Sequence, residues 1–328
     1  MYDSPLISPE NKDSAAEIVS SLPKVLLDED FDAALAVEKL QNPDALREAV
    51  GAAVKELAED NVAYVELTLN PERFTQAEMS IDDVIAAAQS GLLASDIDAR
   101  LVLGASRRGG KDAEIARACV ENLGEKVVGF HLGAGQESLT EFSETFAYLR
   151  HNYVPFSVDV GAGSSDIAEA VQAGATRLRH ASGVIDDFSA EIEGIVPGQV
   201  SAWIRDRKIP LDFAPLNEIE VQAVEELADH PLPLLQQLGF TCTVGTGQRQ
   251  SGALSKLFIA LSETFGYGLE EFFDLTVKAI DNTFSNQEHR QALMETSILP
   301  AYEELSDAEL AGPDTVESLA EQSAEDSE

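Results

Sequence analysis

The residues best placed for chemistry lie at the ends of short apolar runs. Residues 156–162 combine such a run with Asp159, residues 177–181 carry His180, and residues 241–248 end in a glycine-containing turn. In a barrel of parallel strands the reacting groups lie at the carboxyl ends of the strands, so these ends decide the function. Carboxylates and imidazoles at such positions suit proton transfer or the binding of a cation.

Motifs typical of other catalytic classes do not occur in the sequence. There is no Gly-x-Ser-x-Gly motif for a serine nucleophile, and no lysine-containing loop for a phosphate group. The two cysteines, Cys119 and Cys242, lie in apolar runs, as small buried residues do, and are too few for a disulfide framework. The segment 161–163 lacks the third glycine and the acidic partner of a dinucleotide-binding motif.

The elements that position these residues follow from the apolar pattern. Short, nearly continuous apolar runs alternate with segments of helical periodicity, as expected for parallel strands buried on both faces. The predicted strands are residues 24–28, 62–69, 99–105, 126–132, 154–160, 176–180, 209–214 and 240–244. Eight strand–helix units in about 300 residues predict an α/β fold of the (β/α)8 TIM-barrel type. A doubly wound open sheet is the alternative, but no Gly-x-Gly-x-x-Gly turn follows the first strand.

Composition predicts three regions along the chain. They are a loose N-terminal segment at 1–20, the barrel at 21–304, and an acidic, disordered tail at 305–328. A continuous helical stretch at 253–284 is expected to close the barrel. The tail is interpreted as a solubilising segment, with the docking of a partner as the alternative.

The chain is strongly acidic, with 22 basic against 59 acidic residues and a net charge of −37. This charge repels nucleic-acid backbones and anionic membranes, but is compatible with a neutral or cationic small ligand. No signal peptide is visible, and no apolar run approaches the roughly 20 residues that a membrane span needs. We therefore expect a soluble, cytoplasmic protein without nucleic-acid or membrane partners. The sequence gives no indication of the oligomeric state.

The strand-end segments share the order of motifs of a known family. Residues 22–30 are similar to Leu-Pro-Lys-x-Glu-Leu-His-x-His, residues 64–68 to Tyr-x-Glu-x-Arg, and residues 129–137 to Gly-x-Asp-Leu-Ala-Gly-Asp-Glu. Residues 158–162 are similar to Val-His-Ala-Gly-Glu, and residues 177–181 to Arg-Ile-Gly-His-Gly. Residues 210–217 are similar to Pro-Leu-Glu-x-Cys-Pro-Thr-Ser, and residues 245–249 to Asn-Thr-Asp-Asp-Pro. From about residue 22 to residue 293 the chain resembles the adenosine deaminase family of metal-dependent amidohydrolases. The resemblance implies a barrel of the amidohydrolase type and a hydrolytic deamination of purines.

The resemblance also implies a zinc site whose ligands are replaced here. The family's three metal-binding histidines and its metal-binding aspartate fall on Asp28, Asp30, Asp159 and Gly247. The general-acid glutamate falls on Ala162, whereas His180 matches the histidine that orients the attacking hydroxide. Loss of a general acid typically costs about 10²–10⁴-fold in rate, and loss of the metal removes the nucleophile. We therefore expect no bound zinc and no other cofactor.

Aspartates in place of all three histidines allow a second interpretation. Carboxylates suit Mg²⁺, Mn²⁺ or Ca²⁺ better than zinc, so a hard-metal centre is an alternative. The simpler interpretation is that these acids face water. If Asp28, Asp30 and Asp159 converge without a cation, their repulsion should raise the pKa of at least one of them.

Further residues are predicted to line a pocket for a purine or nucleoside. They are His131, Gly133, Gly161 and Asn217. The basic residues nearest this mouth either bind an anionic ligand or form surface salt bridges; they are Arg177, Arg179 and Arg249. The other histidines are interpreted as helix-end, surface or loop residues; they are His151, His230 and His289.

Three functions are compatible with these features. The leading hypothesis is an adenosine-deaminase-like protein that is catalytically degenerate, a pseudoenzyme with a retained purine or nucleoside pocket. The first alternative is an active metal-dependent deaminase that uses Asp28, Asp30, Asp159 and His180. The second alternative is a non-catalytic scaffold or subunit that modulates an active paralogue.

Overall fold

The structure is a computed structural model that describes residues 12–31, 36–75, 79–94, 96–161, 164–191, 194–247 and 253–311. The strands are β1 Lys24–Asp30, β2 Val62–Leu69, β3 Asp98–Ala105, β4 Val127–Leu132, β5 Phe156–Asp159, β6 Arg177–Arg179, β7 Phe188–Glu191, β8 Gly194–Pro197, β9 Leu211–Phe213 and β10 Cys242–Val244. The helices are α1 Lys12–Ser21, α2 Pro43–Glu59, α3 Ile81–Gly91, α4 Asp112–Asn122, α5 Ser143–His151, α6 Ser164–Ala173, α7 Gln199–Asp206, α8 Pro215–Glu220, α9 Leu232–Gln237, α10 Ala253–Phe265, α11 Leu269–Asp281, α12 Gln287–Leu293 and α13 Leu299–Ala311.

Eight parallel strands of the described chain form a nearly closed barrel. Their order is β1-β2-β3-β4-β5-β6-β9-β10, and β10 lies against β1. The strands are short and almost wholly buried, as the continuous apolar runs predict, and helices pack around them. The predicted (β/α)8 barrel is thus confirmed. The remaining two strands, β7 and β8, form a separate antiparallel hairpin that the sequence analysis did not predict.

Buried ion pairs lie inside this apolar framework. The Arg177 guanidinium is fully buried, with its Nη2 atom 2.8 Å from Glu66 Oε2. It also lies 4.0 Å from the centre of the Phe284 ring. The expectation that Arg177 binds an anionic ligand or forms a surface salt bridge is therefore wrong, because the guanidinium is fully buried and pairs with Glu66 of β2.

Helical structure extends into both predicted terminal segments. Helix α1 begins within the segment 1–20 that was interpreted as loose and ends at Ser21. Val19 and, just beyond the segment, Leu22 are buried, and α1 contacts α10. Helix α13 continues to Ala311, past the expected start of the tail at 305, and residues 312–328 lie outside the described chain. The apolar side chains at the first boundary explain the difference, since their burial outweighs the polar composition around them.

The long helical stretch predicted at 253–284 is divided into α10 and α11. Gly266, between them, has φ of +73°, a conformation that L side chains rarely adopt and glycine adopts freely. No helix within the described ranges is both long and apolar enough to cross a membrane.

Candidate active site at the carboxyl ends of the strands

A buried arginine lies at the centre of the strand ends. Arg179 is the last residue of β6, and its side chain is 2% exposed. Strand register aligns it with Asp159 of β5 on one side and with Asp212 of β9 on the other. Register partners on parallel strands direct their side chains to the same face, so the guanidinium lies between two carboxylates. Its Nη1 is 3.5 Å from Asp159 Oδ1, and its Nε is 3.8 Å from Asp212 Oδ2.

A third carboxylate reaches the same guanidinium from the first strand. The two terminal nitrogens of Arg179 lie 3.3 and 3.5 Å from the two carboxylate oxygens of Asp30. Such a paired contact is the geometry in which arginine binds a carboxylate most specifically. The expectation that Arg179 binds an anionic ligand or forms a surface salt bridge is wrong, since β1, β5 and β9 enclose it with acids. The side chain of Asp28 lies outside the described atoms.

Asp159 is held in its charged form by neighbouring positive and polar groups. Burial alone would raise the pKa of Asp159, but the charges of Arg179 and His131 outweigh burial and lower it. His131 Nε2 lies 3.5 Å from Asp159 Oδ2, and the Ala134 amide donates to the same oxygen at 3.2 Å. The expected rise in an aspartate pKa is therefore not seen at Asp159, because a cation does lie among these acids. His131 Nδ1 is in turn 2.9 Å from Ser157 Oγ.

His180 belongs to a second charged network. Its Nδ1 lies 3.3 Å from Glu218 Oε1, and the other oxygen, Oε2, is 3.2 Å from Nε2 of His230. Burial would raise the pKa of Glu218, but hydrogen bonds with both histidines hold it at about 2. Burial lowers the pKa of His180, whereas the Glu218 hydrogen bond and the Asp159 charge raise it by more.

Two members of this network were not identified as site residues from the sequence. His230 was interpreted as a loop residue, yet it is fully buried and makes an edge contact with Phe213. Glu218 follows directly on the segment 210–217, and its position on α8 makes it accept the backbone amide of Ala214 at 3.1 Å. A buried acid with two histidine partners is a three-dimensional feature that no local motif shows.

Glu29 is a third buried residue that was not identified as a site residue from the sequence. It lies between Asp28 and Asp30, where alternation would direct it to the other face, but β1 changes register between Leu26 and Glu29. Its Oε1 accepts a hydrogen bond from Thr246, and its buried Oε2 receives no hydrogen bond from any residue that the structure describes. Burial raises the pKa of Glu29 to about 7.

The remaining predicted positions follow the carboxyl ends of β4, β5, β9 and β10. Gly247 has φ of +71°, and a Cβ there would lie 2.8 Å from Ala214 Cβ and 3.1 Å from Asn217 Cβ. Asn217 Nδ2 is buried without a hydrogen-bond partner among the described residues. A Cβ on Gly133 would lie 3.9 Å from His131 Nε2, whereas Gly161 faces open space. Residues 162, 248 and 249, and with them Ala162 and Arg249, lie outside the described chain.

Another arginine fixes the loops that carry these residues. Arg107, after β3, donates to the carbonyls of Gly133 at 3.0 Å, Glu137 at 3.0 Å and Asp159 at 2.6 Å. It also donates to the Asp166 carboxylate at 3.0 Å. One buried guanidinium thereby connects the loop that follows β3 with the loop after β4, the end of β5 and helix α6. No sequence pattern marks this role, because the acceptors of Arg107 are mostly backbone atoms.

Metal-binding geometry is not found in the part of the chain that the structure describes. There, no group of three or more His, Cys, Asp or Glu side chains is arranged to hold an ion. The carboxylates around Arg179 make contacts to its nitrogens instead.

Comparison with known proteins places this geometry in a family. The sequence model of the adenosine deaminase family matches residues 13–298. The adenosine deaminase of Mycobacteroides abscessus is 31% identical over 280 residues, which cover 80% of this chain and 77% of that protein. An amidohydrolase from Burkholderia ambifaria, solved with bound zinc, has a TM-score of 0.76 at 18% identity and covers 91% of this chain and 95% of its own. Arabidopsis ADAL, solved with IMP, has a TM-score of 0.71 at 19% identity, covering 85% of this chain and 97% of its own. The chain belongs to the adenosine deaminase family.

Proposed function

We propose that this protein binds a purine base or nucleoside at the strand ends and does not deaminate it by the metal-dependent route. The observation that carries this proposal is the position of the Arg179 guanidinium among Asp30, Asp159 and Asp212. Two of these acids stand where the resemblance places metal-binding histidines. A family-type deaminase needs a metal there to produce a hydroxide near neutral pH.

The described residues do not fit the family's zinc ion. A permanently charged guanidinium lies within 3.5 Å of oxygens of both Asp30 and Asp159, and a dication beside it would meet strong repulsion. Gly247 offers no side-chain donor, and zinc in proteins prefers imidazole and thiolate to an all-oxygen set. No step of a reaction is therefore assigned to a metal.

The purine class of ligand is supported by the family and by the groups left at the mouth. The relative from Mycobacteroides abscessus is an adenosine deaminase, and the Arabidopsis structure holds IMP. His180 keeps 25% of its side chain exposed, so a ligand at the strand ends can reach it. The buried amide nitrogen of Asn217 adds a polar atom that a ring nitrogen or hydroxyl could satisfy.

The test combines turnover, metal content and binding on the same preparation. Purified protein is incubated with adenosine, adenine and AMP, with and without added Zn²⁺, Mg²⁺, Mn²⁺ or Ca²⁺, and deamination is followed by ultraviolet absorbance. We expect no turnover, no stoichiometric zinc by elemental analysis, and measurable binding of adenosine or adenine by calorimetry.

Other outcomes select the other functions. Turnover that requires a bound cation, and that is lost on Asp159→Asn or His180→Ala, would establish the aspartate-rich enzyme instead. Absence of both turnover and purine binding, together with co-purification of an active deaminase, would favour the scaffold or subunit. Finding about one zinc per chain would contradict the proposed function outright.

A further inference from the structure

We infer that the surface formed by the β7–β8 hairpin and helix α7 binds a second copy of this chain about a two-fold axis. This hairpin–α7 face is defined by four exposed apolar side chains, Ile185, Ile195, Val196 and Trp203. None of them belongs to the charged networks at the strand ends, so binding at this face is independent of the proposed function.

The first support is the exposure of large apolar side chains on neighbouring elements. Ile195 is 46% exposed and Trp203 is 52% exposed, and Ile185 and Val196 are each more than a third exposed. Helix α7, which carries Trp203, contacts both strand β8 and the 3-10 helix Ala181–Asp187 that carries Ile185. Apolar side chains that cluster on a surface in this way mark an interaction site, whereas isolated ones do not.

The second support is the isolated position of the hairpin. Among the described strands, β7 and β8 pair only with each other. A two-stranded hairpin is marginally stable alone, and its outer edges present backbone groups that can pair with another chain. A cavity of about 260 Å³ lies at the base of the hairpin, since Asp187 and Val200, which flank the two strands, both line it. The face therefore offers a partner both a strand edge and a recess.

The distribution of charge identifies the partner as a second copy. Residues 186–191, which lead into and form β7, contain three acids and no basic residue. Residues 203–208, at the end of α7, contain three basic residues and one acid. A partner of one charge would complement one of these ends and be repelled by the other. A second copy turned about a two-fold axis brings its basic end to the acidic end of the first, at two equivalent positions.

Trp203 is the expected centre of this contact. The guanidinium carbon of Arg207 lies 4.7 Å from the centre of the indole ring. Tryptophan and arginine are enriched among the residues that dominate the binding energy of interfaces. Because Trp203 is the only tryptophan of the chain, its fluorescence reports directly on whether the face is covered.

The first experiment follows sedimentation velocity of the full-length protein from about 0.5 to 100 µM, with the emission and acrylamide quenching of Trp203 measured on the same samples. We expect a reversible dimer, an emission maximum that moves to shorter wavelength as the dimer forms, and at least a twofold loss of quenching. Ile195→Asp should raise the dissociation constant of the dimer at least tenfold. The matched control is Leu93→Asp, at a side chain 71% exposed between α3 and β3, which should leave this constant unchanged.

The second experiment tests the two-fold geometry by reversing the charge at either end of the face. Asp186→Arg and Arg207→Glu each place like charges opposite one another at both positions, so either variant alone should be monomeric over the same concentrations. An equimolar mixture of the two variants restores opposite charges at both positions. The mixture should therefore form dimers, with a dissociation constant within tenfold of wild type. Both side chains are exposed, so neither replacement should impair folding.

A wild type that stays monomeric, with Trp203 open to acrylamide at every concentration, would overturn the inference. A dimer that Ile195→Asp weakens no more than Leu93→Asp would overturn it as well, and so would a mixture of the charge variants that stays monomeric. Protection of Trp203 in a monomer would mean that a segment of the same chain covers the face, which also contradicts the inference. Should Ile195→Asp not fold, as judged by circular dichroism, the mixture of the charge variants decides alone. Adenosine binding by calorimetry tests the proposed function separately and is expected to be the same in all these variants.

Discussion

Arg179 and His180 are adjacent in the chain, yet their side chains belong to different charged networks. Arg179 contacts acids on β1, β5 and β9, whereas His180 contacts Glu218 on α8. The change of direction is local, because His180 has φ of +55°, in the left-handed region that few non-glycine residues adopt. That backbone conformation turns its imidazole away from the line of β6 and toward Glu218.

At this scale we predict that Glu218→Gln destabilises the protein in a pH-dependent way. The pKa of Glu218 is depressed from 4.5 to about 2, which corresponds to about 3 kcal/mol of stability near pH 6. A depressed acid stabilises the fold above its unfolded pKa and loses this contribution as pH falls through the folded pKa. The difference between wild type and variant should therefore shrink as pH falls from about 4.5 toward 2.

The raised pKa of His180 sets the upper limit of the pH range in which the pair of His180 and Glu218 stabilises the fold. A raised histidine stabilises the fold below its unfolded pKa of about 6.5 and loses this contribution as pH rises through the folded pKa. Urea unfolding at a series of pH values measures the window, with Glu220→Gln on the exposed side of α8 as the control. A difference that stays constant from pH 6 to pH 3 would contradict the assigned network.

At the scale of elements, the loops that carry the site depend on Arg107. This side chain is nearly fully buried, and its acceptors lie after β4, on β5 and on α6. Loops with few apolar contacts open locally unless such bonds restrain them. Strand register therefore positions Asp159, Arg179 and Asp212, whereas the Arg107 guanidinium positions the loop after β4.

We predict that Arg107→Met destabilises the fold by about 3 kcal/mol, because buried carbonyls and Asp166 lose their donor. Amide hydrogen exchange should quicken mainly at residues 133–138, where the loop after β4 accepts from Arg107. The matched control is Arg108→Met, since Arg108 is 66% exposed and pairs with Glu137 at the surface. Equal effects of the two variants would refute the role given to Arg107.

The elements were largely predictable, but the contacts between them were not. Strands such as β2 and β4 follow from apolar runs alone, since burial on both faces leaves little else that fits. Asp30 and Asp159 were identified as candidates because a family motif marks their positions. Their actual partner, Arg179, was misjudged, because its register neighbours lie 20 and 33 residues away and no local pattern reports strand register.

At the scale of the whole molecule, charge is the dominant property. A net charge of −37 on 328 residues makes the folded state repel itself, although it favours solubility. Interior cations such as Arg107, Arg177 and Arg179 are used within the fold and do little to neutralise the surface. The stability of the fold should therefore depend on the salt concentration of the solvent.

We predict that the thermal midpoint rises by several degrees between 10 mM and 500 mM KCl. Salt shortens the screening length from about 30 Å to a few Å and weakens repulsion among exposed acids, while buried pairs are affected less. Differential scanning calorimetry measures the midpoint, and sucrose of equal osmolality is the non-ionic control. A midpoint that falls or stays unchanged with KCl would show that surface repulsion does not limit stability.

The backbone conformation at Gly247 constrains how the sequence of this chain can change in evolution. An aspartate at that position, where the family motif has one, would bring its Cβ to 2.8 Å from Ala214 Cβ and 3.1 Å from Asn217 Cβ, in a left-handed conformation. Under the proposed function no metal binds beside Arg179, so the new acid would have no ion to offset this crowding. Replacing Gly247 by aspartate alone should therefore give a less stable protein. If this chain descends from an ancestor with a family-type site, that site would be difficult to restore one residue at a time.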